Sequence, residues 1–359
     1  MLADFDYFFA QCEELRNPTI KDKPVVVGVY SGRTEESGAV STSNYIARKY
    51  GVKSGLPLFL AKKKLEGLDP VFFHVDHEYY EEISNRIMSI FRTYASALEQ
   101  VSVDEAYLDV TEQVEGSFKK AADYAQKIKA DVKAQVGISF TIGVGPNKLV
   151  AKIACDNQKP DGLTIVKPEE AQAFLAPLAV DRLLGVGKKT TVRMDQMGIK
   201  TISDLARYDT QRLVEAFGKA LGIYFHNAAN AIDNEPVREQ GEAESISKIG
   251  TLKQDTHDLG YIMQKCDELT EYVYKEVQAK GYSFKTVSIY VVHVDLSSKS
   301  RSVTLEQPAK EKEVIIRNVR MLFEKYLDES PLEIRRVGVR VAAFSKEEPK
   351  QKSLTSFFG

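Results

Sequence analysis

The sequence predicts an α+β multidomain protein, and three observations carry that expectation. Apolar runs of strand length alternate with amphipathic helical stretches over residues 1–166, and short helices separated by glycines follow over residues 167–236. Residues 246–345 then run strand, helix, strand, strand, helix, strand. At 359 residues the chain exceeds one typical domain, so several compact units are expected. A hydrophobic fraction of 43% with 28% charged residues suits a globular protein and excludes a fibre or a disordered chain.

In the first unit, residues 25–29, 101–110 and 140–144 read as strands, and residues 77–94 and 117–136 carry helical periodicity. The segment from Pro168 to about Asn234 breaks at Gly185, Gly187, Gly198 and Gly218, the pattern of a small helical domain. A polar stretch, 235–245, contains Pro236 and Gly241 without an apolar period and reads as a linker. Strands at 246–252, 286–295, 300–305 and 334–344, with helices at 259–280 and 312–326, give a split βαβ sheet covered by helices on one face. Residues 346–359 are charged and then aromatic, as in a mobile tail.

The net charge of -2 weighs against a generally basic nucleic-acid binder, so any such surface must be local. Basic clusters stand at Lys62-Lys63-Lys64, Lys188-Lys189 and Arg335-Arg336 with Arg340. Cys12, Cys155 and Cys266 are far apart and lack metal-ligand spacing, which argues against a disulfide framework or a structural zinc. No leader pattern and no run of about 18 apolar residues is present, so a cytoplasmic protein without a membrane span is expected.

Five short motifs carry chemistry. In Asp4-Phe5-Asp6-Tyr7-Phe8-Phe9-Ala10, strand alternation places Asp4 and Asp6 on one face; alone, this is equally an edge strand with solvated acids. In the run 102–110, Asp104 and Glu105 interrupt an apolar strand and can converge only at a turn or bulge; alone, this is equally a hairpin turn. Together, Asp4, Asp104 and Glu105 supply the hard oxygen ligands that a pair of divalent cations needs. Tyr45 and Arg48 share a helical face and, with Lys159 from a later turn, would suit a triphosphate, although a surface helix with a solvated arginine has the same pattern. Gly185-Val186-Gly187-Lys188 resembles a helix-hairpin-helix turn that grips duplex backbone, against the alternative of a plain interhelical turn. Last, Gln351, Leu354, Phe357 and Phe358 form a Q-x-x-L-x-x-F-F tail suited to a hydrophobic pocket on a partner or on this chain. His74 and His77 lack a third ligand and read as surface residues.

These motifs, with S-G-A-V at 37–40, N-Y-x-A-R at 44–48, G-V-G-x-N-K-x-x-A-K at 143–152 and K-P-x-G at 159–162, resemble those of the Y-family DNA polymerases. The similarity is to the archaeal DinB-like branch and covers essentially the whole chain. It implies a right-hand polymerase with a ferredoxin-like palm and small fingers at 1–166 (fingers about 11–75) and a helical thumb with its helix-hairpin-helix at 167–236. A linker at 237–245, a β-α-β-β-α-β little finger at 246–345 and a flexible clamp-binding tail at 346–359 complete the implied order.

The same resemblance implies residue roles. Asp4, Asp104 and Glu105, with the Phe5 carbonyl, would hold two magnesium ions per site, manganese being able to substitute. Phe9 would be a steric gate against a ribose 2′-hydroxyl, and Tyr7, Phe8, Thr42, Tyr45, Arg48 and Lys159 would contact the nucleotide. Val29, Ala39 and Gly55 would form a loose cover over the nascent base pair, implying low-fidelity synthesis past damaged templates. Gly185, Gly187, Lys188, Arg335, Arg336 and Arg340 would contact DNA, with alternation putting Arg336 and Arg340 on one face. Implied partners are primer-template DNA, deoxynucleoside triphosphates and a ring-shaped sliding clamp held by Gln351, Leu354, Phe357 and Phe358, with the polymerase itself a monomer. Three residues precede Asp4, fewer than in relatives, so incomplete pairing of the first strand is expected. A nucleotide cyclase shares the palm chemistry, and a clamp adaptor without catalysis would share the tail; the cyclase leaves the thumb and tail motifs unexplained, and the adaptor predicts damaged carboxylates.

Overall fold

The computed structural model describes residues 1–239 and 241–346. By internal contacts the chain divides into two compact units. One comprises Met1–Gly28, Val40–Leu56 and Leu60–Gln240, the other Val29–Ala39, Pro57–Phe59 and Gly241–Gly359.

The chain opens with β1 (Leu2–Phe5) and α1 (Phe8–Arg16), then β2 (Val25–Tyr30), β3 (Gly38–Ser43), α2 (Tyr45–Lys49), α3 (Leu58–Lys64) and β4 (Val71–His74). Strands β2 to β4 form a sheet of order β3-β2-β4. There follow α4 (His77–Arg92), β5 (Ala97–Gln100), β6 (Glu105–Asp109), α5 (Phe118–Val136), β7 (Phe140–Val144), α6 (Lys148–Asn157) and β8 (Leu163–Ile165). A five-stranded sheet of order β5-β6-β1-β7-β8 results, with β1 antiparallel to both neighbours.

Helix α4 buries Tyr80, Ile83, Ser84, Ile87, Met88 and Phe91, one stripe at helical spacing, and Asp76 caps its start by accepting from the Tyr79 N–H. Helix α5 buries Ala121, Ala125, Ile128, Val132 and Val136 in the same way, between the Ser117 cap and Gly137 in left-handed backbone at φ 86°. Phe5, Phe91 and Phe140 meet at the centre with ring centroids 5.4 to 5.9 Å apart. Each ring buried so completely stabilises by about 2–3 kcal/mol. A Cβ at Gly143 on β7 would stand 2.0 Å from the Ala151 carbonyl oxygen, so only glycine lets α6 lie directly on the sheet.

Two expectations are corrected. The strand anticipated over 101–110 is shorter, β6 alone, because residues 101–104 form the turn that joins it to β5: the Val101 and Ser102 N–H groups both donate to the Glu105 carbonyl, at 2.9 and 3.2 Å. That tight turn keeps Ser102 and Asp104 out of the apolar interior, where an unpaired acid would be costly. The first strand is also fully engaged: Leu2, Ala3 and Asp4 pair with β6, and Leu2 to Phe5 pair with β7.

Helices α7 (Ala171–Leu175), α8 (Lys188–Gln196), α9 (Ile202–Ala206), α10 (Thr210–Phe217) and α11 (Lys219–Ala229) follow. They share a core of Leu175, Met194, Ile202, Leu213 and Phe225 that is continuous with Val150 and Ile153 of α6.

The second unit contains β9 (Ser245–Thr256), α12 (Leu259–Ala279), β10 (Tyr282–His293), β11 (Ser298–Ala309), α13 (Lys312–Glu329) and β12 (Ile334–Lys346). The sheet order is β11-β10-β12-β9 with every pair antiparallel. Strands β9 and β10, joined through α12, therefore run parallel with β12 between them, which is the split βαβ arrangement read from the element order. Val337, Val339 and Val341 are buried in one core with Ile262, Val273, Val319 and Phe323 of α12 and α13. Among the described residues no helix is long and apolar enough to cross a membrane. All three cysteines are buried free thiols.

One ionic clasp lies in this second unit. Asp255 accepts from Arg335 at 3.0 Å and from Arg33, whose Nε also donates to the Leu252 carbonyl at 2.7 Å. The hydrogen bonds from Arg335 and Arg33 hold the Asp255 carboxyl well below the usual carboxylate range. A carboxylate depressed on folding contributes stability that is present above the unfolded value of about 3.9 and is lost as the pH falls toward the folded one. Asp255→Asn is accordingly expected to lower the melting temperature at pH 7, with the gap to the parent protein narrowing below about pH 4. Thermal melts of the two proteins at pH 7 and pH 3 check this, and a gap of equal size at both would remove the ionic account.

Candidate active site and nucleic-acid face

Asp4 and Glu105 are direct partners across the antiparallel pair β1–β6, and the Phe5 N–H donates to the Asp104 carbonyl at 2.8 Å. The three acidic residues therefore come from two adjoining segments at one end of the sheet. Like charges directly opposite each other destabilise a sheet, and here Lys152 of α6 offsets them. Its Nζ donates to Glu105 Oε2 at 2.9 Å and Asp4 Oδ2 at 3.2 Å. Lys159 places a second ammonium 2.6 Å from Asp4 Oδ2 and 3.1 Å from Asp156. Burial opposes the charge on Lys152, but the Glu105 hydrogen bond and the Asp4 and Glu105 charges carry its pKa upward. Burial pushes the Glu105 carboxyl up as well, against the pull of Lys152.

A cleft of about 360 Å³ opens over these groups, lined by Asp4 to Phe9, Ser41, Thr42, Tyr45, Arg48, Ser54, Asp104 and Lys159. The structure thus gathers most of the residues singled out for metal and nucleotide. Asp104 lies on the rim of the convergence, its Oδ1 accepting from Ser102 Oγ at 2.5 Å. Among the described residues no three acidic, histidine or cysteine side chains close into a metal cage. The donor chemistry still fits a divalent cation: the facing groups are hard oxygens, and among the described residues their negative charge is balanced by lysine ammonium groups that a cation could replace.

The Tyr45 side of the cleft rests on a polar network. Buried Glu14 accepts from Tyr7 Oη at 3.1 Å and from Asn44 Nδ2 at 2.9 Å. Asn44 in turn caps α2 by accepting from the Ala47 N–H at 3.0 Å, accepts from the Val25 N–H at 3.1 Å, and donates to the Lys23 carbonyl at 2.8 Å. Tyr7 and Tyr45 meet edge to face at 5.4 Å, and the Arg48 guanidinium lies 4.8 Å from the Tyr45 ring centre with its Nε on the Ser43 carbonyl. Thr42 precedes this helix on β3 and lines the same cleft. Phe9 stacks on the Tyr80 ring at 4.4 Å, and Tyr80 Oη donates to buried Glu13 at 2.7 Å. Phe8 is 2% exposed and packs on Phe5, so it backs the cleft as core.

Other singled-out residues lie elsewhere. Val29 is exposed at the end of β2, Ala39 is half-buried on β3, and Gly55 is exposed with φ 84°; none of them lines the cleft. Gly185 takes φ 81°, and Gly187 stands at the N-cap of α8, whose first residue is Lys188. Asp6 borders the same cleft but does not project beside Asp4: β1 ends at Phe5, and Asp6 turns into the interior, 1% exposed. His77 is exposed near Phe9. Gln351, Leu354, Phe357 and Phe358 lie outside the described residues.

On the four-stranded sheet, Arg336 and Arg340 are exposed on the face opposite Val337, Val339 and Val341. Register puts Arg336 between Thr251 and Val292, and Arg340 between Ser247 and Ser288, with Ser302 one strand further. Apart from Val292, these rows hold hydroxyls and guanidiniums without an acid, a surface suited to phosphate oxygens. Arg335 departs from its expected place: the register shifts between Ile334 and Arg336, and the displaced side chain joins the Asp255 clasp.

Three family models match the chain. Residues 3–156 match the impB/mucB/samB family, residues 243–354 the C-terminal domain of that family, and residues 181–233 the thumb domain of DNA polymerase-iota. DNA polymerase IV of Nitrosopumilus maritimus is 45% identical over 356 residues, covering 99% of this chain and 98% of that protein. A solved Y-family DNA polymerase chimera of Dbh and Dpo4 superposes with a TM-score of 0.91 at 34% identity, over 96% of this chain and 99% of the chimera. The insertion ternary complex of Dbh DNA polymerase gives a TM-score of 0.68, also at 34% identity, with coverage of 96% and 99%.

Asn44→Ala would remove a helix cap and strand the Lys23 carbonyl and one Glu14 oxygen without partners. The expected loss is about 2–4 kcal/mol of unfolding free energy, read by denaturant titration.

Proposed function

The chain belongs to the Y-family DNA polymerases, on their archaeal DinB-like branch, and from that premise we propose that the cleft joins deoxynucleotides to a primer 3′ end by two-metal phosphoryl transfer, with low fidelity and across damaged template bases. One observation carries this reading: Asp4, paired across the strands with Glu105 and balanced by lysines, shares a cleft with Asp104, Tyr45, Arg48 and Lys159. Relatives similar over their full length are DNA polymerases, so neither a cyclase nor an inactive adaptor is favoured.

Asp4, Asp104 and Glu105, with the Phe5 carbonyl, would hold the divalent ions. The all-oxygen donor set suits magnesium, with manganese able to substitute. Bound there, the ions would lower the pKa of the primer hydroxyl and offset the charge that gathers on departing pyrophosphate. Lys159, now on Asp4, would turn to the triphosphate together with Tyr45 and Arg48, while Lys152 keeps Glu105 in place. Thr42 and Tyr7 flank the same space. Phe9, fixed by its stack on Tyr80, would close the volume that a 2′-hydroxyl needs.

Val29, Ala39 and Gly55 would give the nascent base pair a cover too small to test its shape. The N-terminus of α8 behind Gly185, Gly187 and Lys188 would take duplex phosphates, as would Arg336 and Arg340; Arg335 would have to leave Asp255 to join them. The Dbh ternary complex supports this reading of the partners as primer-template DNA and nucleotide. A cytoplasmic monomer that docks on a sliding clamp through Gln351, Leu354, Phe357 and Phe358 completes the proposal.

In primer extension with magnesium, Asp104→Ala is expected to lose about 10³-fold or more in rate, and Phe9→Ala to admit ribonucleotides at least about tenfold more readily. Full extension by the first variant would dismiss the metal assignment, and unchanged sugar selection by the second would dismiss the gate. Removing residues 351–359 is expected to shorten products only when a clamp is present; an equal loss without it would assign the tail to the fold instead.

A further inference from the structure

A carboxylate almost wholly out of water is costly unless each oxygen is satisfied. Asp6, 1% exposed, meets that requirement with two neutral donors, Thr141 Oγ1 at 2.9 Å on Oδ1 and the Asp161 N–H at 2.8 Å on Oδ2. The second bond crosses from the end of β1 to the turn that begins at Lys159. The same turn has further anchors. The Gly162 N–H donates to Thr141 Oγ1 at 3.3 Å, and the Lys129 ammonium reaches the carbonyls of Asp161 and Gly162 at 2.6 and 2.9 Å and the Asp161 carboxylate at 2.9 Å. A Cβ at Gly162 would stand 1.8 Å from the Gln158 carbonyl oxygen, so the turn is closed tightly onto the end of α6.

All of these anchors converge on residues 161–162, immediately after Lys159; Asp6 also borders the cleft, whereas Thr141 and Lys129 do not line it. The Lys159 side chain is long and has many rotamers to lose. A fixed base is what lets such a side chain deliver its ammonium to one place, 2.6 Å from Asp4. We propose that Asp6, with Thr141 and Lys129, is a positioning device that holds the 159–162 turn so that the Lys159 ammonium meets the incoming triphosphate. The inference rests on the reading of Lys159 as a triphosphate contact.

Single-nucleotide insertion kinetics on the full chain test it, using Asp6→Ala, Asp6→Asn, Lys129→Met, Lys159→Ala and the Asp6→Ala/Lys159→Ala pair. Asp6→Ala is expected to raise the nucleotide KM about tenfold with a smaller change in kcat. Asp6→Asn keeps an oxygen for the Asp161 N–H and should recover most of that loss. In the Lys159→Ala background, Asp6→Ala should add nothing, because two residues acting through one contact are not additive. Losses that multiply in the pair, or an unchanged KM in folded Asp6→Ala, would overturn the proposal. If Asp6→Ala does not fold, Lys129→Met decides: a KM rise of about threefold that vanishes without Lys159 supports the device, and a wild-type KM overturns it. A Lys159→Ala variant with unchanged KM would instead remove the reading of Lys159 on which the inference stands.

Discussion

Two carboxylates facing each other across an antiparallel pair push their strands apart, and the first unit is organised around holding Asp4 and Glu105 in that position. The compensating charge is on α6, from which Lys152 bridges both acids. That bridge is possible because Gly143 lets α6 rest on β7 with no side chain between them. All three side chains are partly buried, so removing one partner would leave a poorly compensated charge at this sheet end. A divalent cation would enter a site whose charge is already balanced, exchanging one positive partner for another.

The opposite wall of the cleft uses hydrogen bonds in place of charge balance. Glu14 links the Tyr7 hydroxyl to Asn44, and Asn44 joins the start of α2 to Lys23 and Val25. Tyr45 and Arg48 therefore stand on a helix whose first turn is fixed by buried groups, although the helix itself is short. Glu14 is buried, does not line the cleft and has both oxygens occupied by Tyr7 and Asn44, so it acts as a structural acceptor.

Much of this was legible because several constraints leave traces in short sequence windows. Helical stripes in α4, α5 and α12 recur at the spacing their buried residues require, and Gly187 before Lys188 marks a helix start. Long-range events left weaker traces. Simple alternation put Asp6 beside Asp4, but the strand ends at Phe5 and Asp6 turns inward to partners more than a hundred residues away. Alternation also suited Arg336 and Arg340, whereas a bulge displaced Arg335 into an ion pair. Lys152 was visible only as a letter in a family motif; its contacts depend on the docking of a whole helix, which no local pattern encodes. The tight turn at 101–104 was masked by the apolar residues on either side of it.

Net charge was the least informative quantity, and the structure gives the physical reason. A chain at -2 can still present positive faces if its acids are spent internally. Asp4 and Glu105 are met by lysines, Asp255 by arginines, and Glu13 and Glu14 by buried hydrogen bonds, so none of these projects a free charge. The sheet face carrying Arg336 and Arg340 has serines and threonines as neighbours, which can accompany a phosphate without repelling it. Such a face would suit a phosphate backbone and would leave base edges unread.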